Sequence, residues 1–438
     1  MDIEAVGPGE SLSIDGPANV KVLEGKLYVL GVEYGVGSSF TVMRGRRVIA
    51  KSLMSSKLEI IVGPEGSFGR VDGSNEVIDV WDKALSNVSL RGSVVVVLGA
   101  MDVGKTTVTT ILVNKGVKEG LRVGVIDGDP GQNDIGPPTT VSSAIADGLI
   151  THLTQLRVLR SMFVNTTSVE HVWGYVLDSI VRLSDDLRVK YGADAVVVNT
   201  DGWVSGFEAL KFKLELVKRL NANYVIVIRR EDEASELIRG LGDLRKDVVV
   251  LPSPPNARLR DRDDRKIRRE MGYSKYIMPS RDLSINLREK PIINLPLFRG
   301  LTYNGHLLSL IRRCLGPVMY LEQWGGVAVA IGSFKDSQVK GFGNVAVVPL
   351  PINWERGLLV ALEDEDDYLL TLGVLRKIYY GTGKAVITVS KNFNAEDRVD
   401  HIRLGMIRLN DNFEEVEKAL FIGSIESMLK SHSGIRLA

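Results

Sequence analysis

Three rhythms of hydrophobic and polar residues succeed one another along the chain. Up to about residue 85, short alternating runs such as NVKVLEG, KLYVLG, SFTVM and LEIIVG are broken by glycines and Gly-Pro. Alternation with period two turns one face of a strand to a core and the other to water, which predicts a small antiparallel β domain. From Ser93 the runs become purely apolar (VVVVLG, RVGVID, DAVVVNT, YVIVI, DVVVL), with longer amphipathic stretches between them. A strand buried on both faces has no polar side to show, so these runs predict a parallel sheet with helices on both faces. Residues 252–280 interrupt the rhythm, PSPPN leading into a highly charged segment. Beyond Pro291, GVAVAIGSF, NVAVVPLP, GLLVALED and KAVITVS predict strands again, followed by a helix from Glu414 to Lys430.

The expected architecture is therefore a β domain over residues 1–88, an α/β domain over 89–290 with a charged lid at about 252–280, and a smaller β-rich domain over 291–438. Length agrees, because 438 residues exceed what one core of roughly 100 to 200 residues holds. With 44% hydrophobic and 25% charged residues, the composition is that of a soluble globular protein. No apolar run reaches the ~18 residues of a membrane span, and MDIEAVGPGE has neither the basic start nor the apolar stretch of a signal peptide. We expect a cytoplasmic protein without membrane contact. One cysteine, Cys314, excludes an internal disulfide, and five scattered histidines give little for a structural zinc site. A formal charge of +1 offers no global attraction to nucleic acid, so such binding has to come from a local patch.

The most specific chemistry lies in GAMDVGKTT, where Gly99, Gly104, Lys105 and Thr106 satisfy G-x-x-x-x-G-K-[ST] between a buried strand and a helix. Glycines there let backbone amides, including those of Asp102 and Val103, turn toward phosphate oxygens, and the helix adds its positive N-terminal end. Lys105 supplies a full charge to the β- and γ-phosphates, the Thr106 hydroxyl a ligand for Mg²⁺ or another divalent metal, and Thr107 a spare hydroxyl. ATP or GTP is the expected ligand.

What receives the phosphate is less legible. DGDPGQNDIGPPTT places Asp127 at a strand end and Asp129 two residues on, where a parallel sheet presents ligands; the same residues also suit a plain turn. Asp201 in VVVNTDGW follows another buried strand and competes for the metal. Spacing leaves the three open. Trp203 suits either a stacking platform for a base or core packing. Arg258, Arg262, Arg265 and Arg269 fall at i, i+4, i+7 and i+11, a cationic stripe on a helix that suits either a solvated face or a lid with an arginine finger.

Together these pieces resemble the RNA 5′-hydroxyl polynucleotide kinases of the Clp/Grc group over nearly the whole length. The resemblance rests on GAMDVGKTT, DGDPGQNDIGPPTT, FVNTTS, VNTDGWVSG and RDRDDR. It implies a P-loop NTPase fold with ATP and Mg²⁺ at Lys105 and Thr106. It makes Asp129 the general base, with Gln132 beside it and Asp127 on the metal side. Thr167 matches the clasp on the first RNA phosphates, Trp203 the base platform, and Arg260 and Arg265 the lid arginines. Glu10 is the candidate for the adenine in the N-terminal domain. Two positions depart from the pattern: Val169 stands where the family usually has proline, and Asp201 where it is commonly uncharged. The implied activity is transfer of the γ-phosphate of ATP to the 5′-hydroxyl of RNA, with DNA a weaker acceptor and RNA-processing proteins as partners. The rivals are an ATP-bound scaffold without turnover and a small-molecule kinase.

Overall fold

The computed structural model describes residues 2–71, 77–244, 246–254, 261–295, 297–302, 305–334, 338–419 and 422–423. Alternation in the first seventy residues does what the pattern predicts. Strands such as Ala18–Glu24, buried at every second residue, build a four-stranded and a five-stranded antiparallel sheet. Leu12, Val20, Val22, Leu27, Phe40, Leu58 and Ile60 fill the core between their inner faces. Residues 78–86, at the end of the stretch expected to be β, form a helix instead. Its Trp81 and Leu85 are buried, and they belong to the core of the next domain rather than to the sandwich.

The apolar runs become the central strands of a seven-stranded sheet. Its order is Arg160–Phe163, Thr140–Ala146, Val123–Gly128, Ala195–Thr200, Val94–Gly99, Tyr224–Arg229, Asp247–Pro252. Five of these strands are parallel neighbours, as their two-sided burial requires. Thr140–Ala146 departs by running antiparallel to Val123–Gly128; its Thr and Ser residues do not stand out in the sequence as a strand. Among the connecting helices are Lys105–Lys118, Trp173–Val189, Phe207–Arg219 and Ser235–Asp243. Parallel strands all point their carboxyl ends the same way, which gathers the loops after Gly99, Gly128 and Thr200 on one edge.

The chain divides into two compact units. One comprises Met1–Gly136, Thr140–Ser161 and Ser168–Arg262; the other takes Pro137–Thr139, Met162–Thr167 and the chain from Asp263. In the second unit, a six-stranded and a five-stranded sheet include the expected strands Val327–Gly332, Val345–Pro351, Leu358–Glu363 and Lys384–Ser390. The expected helix at Glu414 is corrected: Glu415–Lys418 is a strand paired antiparallel with His401–Leu409. Edge pairing there overrides the helix propensity of Glu and Lys. The rest of that expected helix falls mostly outside the described residues. No helix among the described residues is long and apolar enough to cross a membrane.

Candidate active site

The phosphate loop leaves its strand at Gly99 and enters its helix at Gly104, whose φ of 108° is a left-handed conformation that side chains resist. A Cβ at Gly104 would also stand 2.8 Å from Cη2 of Trp81. Trp81 is thus packed directly beneath the loop, its indole N–H donating to the Pro252 carbonyl at 2.9 Å. Asp102 takes the left-handed region as well, and Val103 is fully buried behind the turn. Lys105 is buried, with Nζ donating to the carbonyls of Gly99 at 3.0 Å and Ala100 at 2.6 Å. Burial pushes its pKa down to about 8, against the opposing pull of Asp129 and Asp201. Thr106 and Thr107 are half-buried on the first helical turn.

Strand order separates Asp201 from the other two carboxylates that spacing leaves open. Ala195–Thr200 lies between Val94–Gly99 and Val123–Gly128, so Asp201 leaves the strand beside the phosphate loop and Asp127 and Asp129 come from one strand further out. Asp127 is fully buried and both its oxygens are engaged: Oδ1 accepts from the Asn199 amide at 3.1 Å and from the Asp129 N–H at 3.3 Å, and Oδ2 from the Asp134 N–H at 2.8 Å. Burial, then the charge of Asp134, holds its pKa well above the ordinary carboxylate range. With its lone pairs so used, Asp127 fits a role in fixing the loop from Asp129 to Asp134 better than that of a metal ligand.

Asp129 differs. Its Oδ1 accepts from the N–H groups of Gly131 at 2.9 Å and Gln132 at 3.1 Å, while Oδ2 has no hydrogen bond among the described residues. Burial foremost, then the charge of Asp201, raises its pKa to about 6 against the pull of Lys105 and the two amides. One oxygen oriented by the backbone and one left open is what a base in this position needs. Gln132 is half-buried next to it, its side-chain amide donating to the Gly131 carbonyl at 2.6 Å.

Asp201 is buried and turned inward. Oδ2 accepts from Nζ of Lys213, a lysine with no exposed side-chain surface, and Oδ1 accepts from the Trp203 N–H at 2.8 Å. Trp203 is half-buried, one face over Phe212 with ring centroids 6.4 Å apart and planes 29° from parallel. The packing and platform readings of Trp203 are therefore compatible: one face is packed, and the residue keeps exposed surface. Between Asp201 and Trp203, Gly202 lies so near the phosphate loop that a Cβ would stand 2.8 Å from the backbone nitrogen of Met101.

Lys105, Asp129, Asp201 and Trp203 are thus brought to one sheet edge within the first unit. Glu10, exposed in the same unit, is held by its own domain: its carboxylate accepts from the Gly7 N–H at 2.8 Å and from Arg70, and the Gly7 amide is the main reason its pKa lies below the ordinary value. Thr167 and Arg265 belong to the second unit. Arg260 lies outside the described residues. Arg265 sits on the predicted helix, observed over Arg262–Ile277, but the continuous cationic stripe is corrected at Arg269. That guanidinium makes two bonds to Glu415, at 2.6 and 2.8 Å, on a helix face closed by buried Tyr273 and Ile277.

Three residues escape a reading of motifs. Asn199 holds Asp127 from the neighbouring strand. Lys213 left a trace in the pattern: it occupies the apolar stripe of its helix with Ala209, Phe212, Leu216 and Val217, where a lysine is out of place. Arg46, in the N-terminal sandwich, forms an ion pair with Asp134, whose Oδ2 also lies 3.6 Å from Nε2 of His152. Nothing local to Arg46 announces that contact.

Comparison with known proteins bears on this edge. Residues 99–278 match the family described as mRNA cleavage and polyadenylation factor CLP1 P-loop. The chain is 28% identical over 330 residues to the polyribonucleotide 5′-hydroxyl-kinase of Pyrococcus furiosus, covering 74% of this chain and 90% of that protein. To the Methanocaldococcus jannaschii protein of the same name it is 25% identical over 327 residues, 74% and 88% of the two chains. The fold resembles that of Clp1p in the solved Clp1p–Pcf11p complex, with a TM-score of 0.59 over 93% of this chain and 97% of that one, at 12% identity. The matched residues include the phosphate loop, Asp129, Asp201, Trp203 and the helix Arg262–Ile277.

Proposed function

We infer that the chain is an ATP-dependent polynucleotide 5′-hydroxyl kinase acting on RNA ends in the cytoplasm. The observation that carries this reading is Asp129: a carboxylate with one open oxygen, its pKa near 6, electrostatically coupled to the phosphate-loop lysine. The names of the archaeal relatives support the acceptor.

In-line transfer follows from these positions. The loop amides and Lys105 hold the β- and γ-phosphates, and binding of that charge releases Lys105 from the Gly99 and Ala100 carbonyls. Asp129 Oδ2 accepts the proton of the 5′-hydroxyl as its oxygen bonds to the γ-phosphorus, and the β–γ bridging oxygen leaves with ADP. Mg²⁺ neutralises phosphate charge when bound; the half-buried Thr106 hydroxyl on the first helical turn fits it, with Asp127 occupied elsewhere. Gln132 contacts the acceptor beside Asp129, Thr167 serves the first phosphates of the strand, Trp203 takes the terminal base, and Arg260 and Arg265 serve the transferring phosphate. Glu10 belongs to the adenine side.

Terminally labelled ATP offered with 5′-hydroxyl RNA, DNA and nucleoside in parallel tests the proposal. Label is expected on RNA first and on DNA more weakly. Label on nucleoside alone makes the chain a small-molecule kinase, and ATP retained without transfer to any acceptor makes it a scaffold.

A further inference from the structure

We propose that Lys213, acting through Asp201, is a positioning residue for the base platform at Trp203; this rests on the reading of Trp203 given above. Burying an ammonium among Ala209, Phe212, Leu216 and Val217 is costly, and an apolar side chain would fill that stripe without the cost. Packing alone does not account for it. Its carboxylate partner is Asp201, itself 3% exposed, at 2.5 Å.

The geometry beyond that pair leads to the tryptophan. The second oxygen of Asp201 accepts the Trp203 N–H at 2.8 Å and closes a turn over Gly202. That turn cannot slide toward the phosphate loop, because Gly202 already lies against Met101 with no room for a Cβ. Phe212, the neighbour of Lys213 in sequence, forms the floor under the indole, and Lys213 Nζ stands 4.4 Å from the centre of the Phe212 ring. One turn of the helix Phe207–Arg219 thus supplies both the floor of the platform and the cation that fixes its backbone.

The pair also answers the puzzle of an acid beside the site of an anionic strand. A free Asp201 would repel RNA phosphate; turned inward and neutralised by Lys213, it keeps the strong acceptor of a carboxylate without presenting net charge. Lys213 is the condition for using a carboxylate as the anchor of this turn.

The test uses the full chain, ATP and a 5′-hydroxyl oligoribonucleotide, and compares double variants so that no charge is left buried alone. Asp201→Asn/Lys213→Met removes both charges but keeps an acceptor for the Trp203 N–H; measured well above pH 6, where Asp129 is ionised whether or not residue 201 is charged, its KM for the oligonucleotide and its kcat are expected to stay near wild type. Asp201→Ala/Lys213→Met removes the acceptor, and that KM is expected to rise about fivefold or more, the lower end of the loss of one base stack. Its kcat and its KM for ATP should hold. In a Trp203→Ala background the alanine should add nothing further, since both changes then act on one platform. If the alanine double variant does not fold, Asp201→Leu/Lys213→Met, closer in volume, replaces it. Equal KM values for the Asn and Ala variants, with Trp203→Ala alone raising KM, overturn the positioning role. An unchanged KM in Trp203→Ala instead overturns the platform reading itself. A fall in kcat in the Asn double variant overturns the proposal in favour of a direct role of Asp201 in transfer.

Discussion

The two carboxylates of Asp-Gly-Asp illustrate how much environment decides at the scale of a residue. Asp127 and Asp129 are the same chemical group two positions apart, yet three donors occupy the first and only backbone amides touch one oxygen of the second. Replacing Asp129 with asparagine should lower transfer by roughly 10²–10⁴-fold, the usual range for a lost general base, with ATP affinity nearly intact. Quench-flow transfer measured beside equilibrium ATP binding checks this, and a matching loss of ATP affinity would assign Asp129 to the nucleotide. The titrations add a second expectation. The raised pKa of Asp129 means the base is protonated below about 6, so kcat/KM should climb as pH rises through that value. Lys105 holds phosphate only as the cation, and its depressed pKa means ATP affinity should weaken as pH rises through about 8. A profile rising near 6 and falling above 8 is expected, and loss of the acid limb alone in a variant at Asp129 would assign that limb.

At the scale of elements, the loop after Val123–Gly128 is held from its own strand and from the N-terminal sandwich of the same unit. Asp127 fixes both of its ends, and Arg46 of the N-terminal sandwich grips Asp134 with little of either side chain exposed. Removing the guanidinium should let the loop move by enough to cost about tenfold in kcat/KM for RNA, in keeping with the steep dependence of transfer on geometry. Steady-state kinetics of Arg46→Ala, with ATP binding as the control, tests this; equal losses for both substrates would place Arg46 on the ATP side. In the second unit, the turn after Leu358–Glu363 meets His401–Leu409 through His401, Arg403, Glu363 and Asp367. Glu363, Asp367 and His401 lie close enough to share a metal, but Arg403 already supplies a cation to both carboxylates. Burial alone would lower the His401 pKa, yet hydrogen bonds from the ring to Asp367, Glu363 and Asp400 outweigh it and raise it from 6.5 to about 10. Because the folded value is the higher one, the stabilisation is complete below about 6.5 and drains away as pH rises through about 10. Thermal midpoints should therefore decline over that window, and less so in His401→Gln.

Over the whole molecule, occupation of the phosphate loop feeds back on stability. ATP that binds the folded chain alone adds about 2.7 kcal/mol at a hundredfold its Kd, so melting in ATP should move upward and Lys105→Ala should abolish the movement. A shift that survives in Lys105→Ala would point to ATP bound elsewhere.

The sequence by itself determined what depends on contiguous residues. A phosphate loop is nine residues in a row, its strand and helix announce themselves by burial pattern, and so the ATP end of the site was legible. So were the sandwich, the α/β domain and four later strands, each carried by its own periodicity. The helix expected at Glu414 failed because local propensity yielded to pairing with a distant strand. Tertiary structure decided which strand lies beside the phosphate loop, and so set Asp201 apart from Asp127 and Asp129, since strand order is a property no single stretch contains. It also decided that Asp201 is turned inward, through a lysine 12 residues on, and that the loop from Asp129 to Asp134 is held by an arginine 88 residues away. Hydrogen bonds and ion pairs act over a few ångströms whatever the separation along the chain, so only the folded molecule brings such partners within reach.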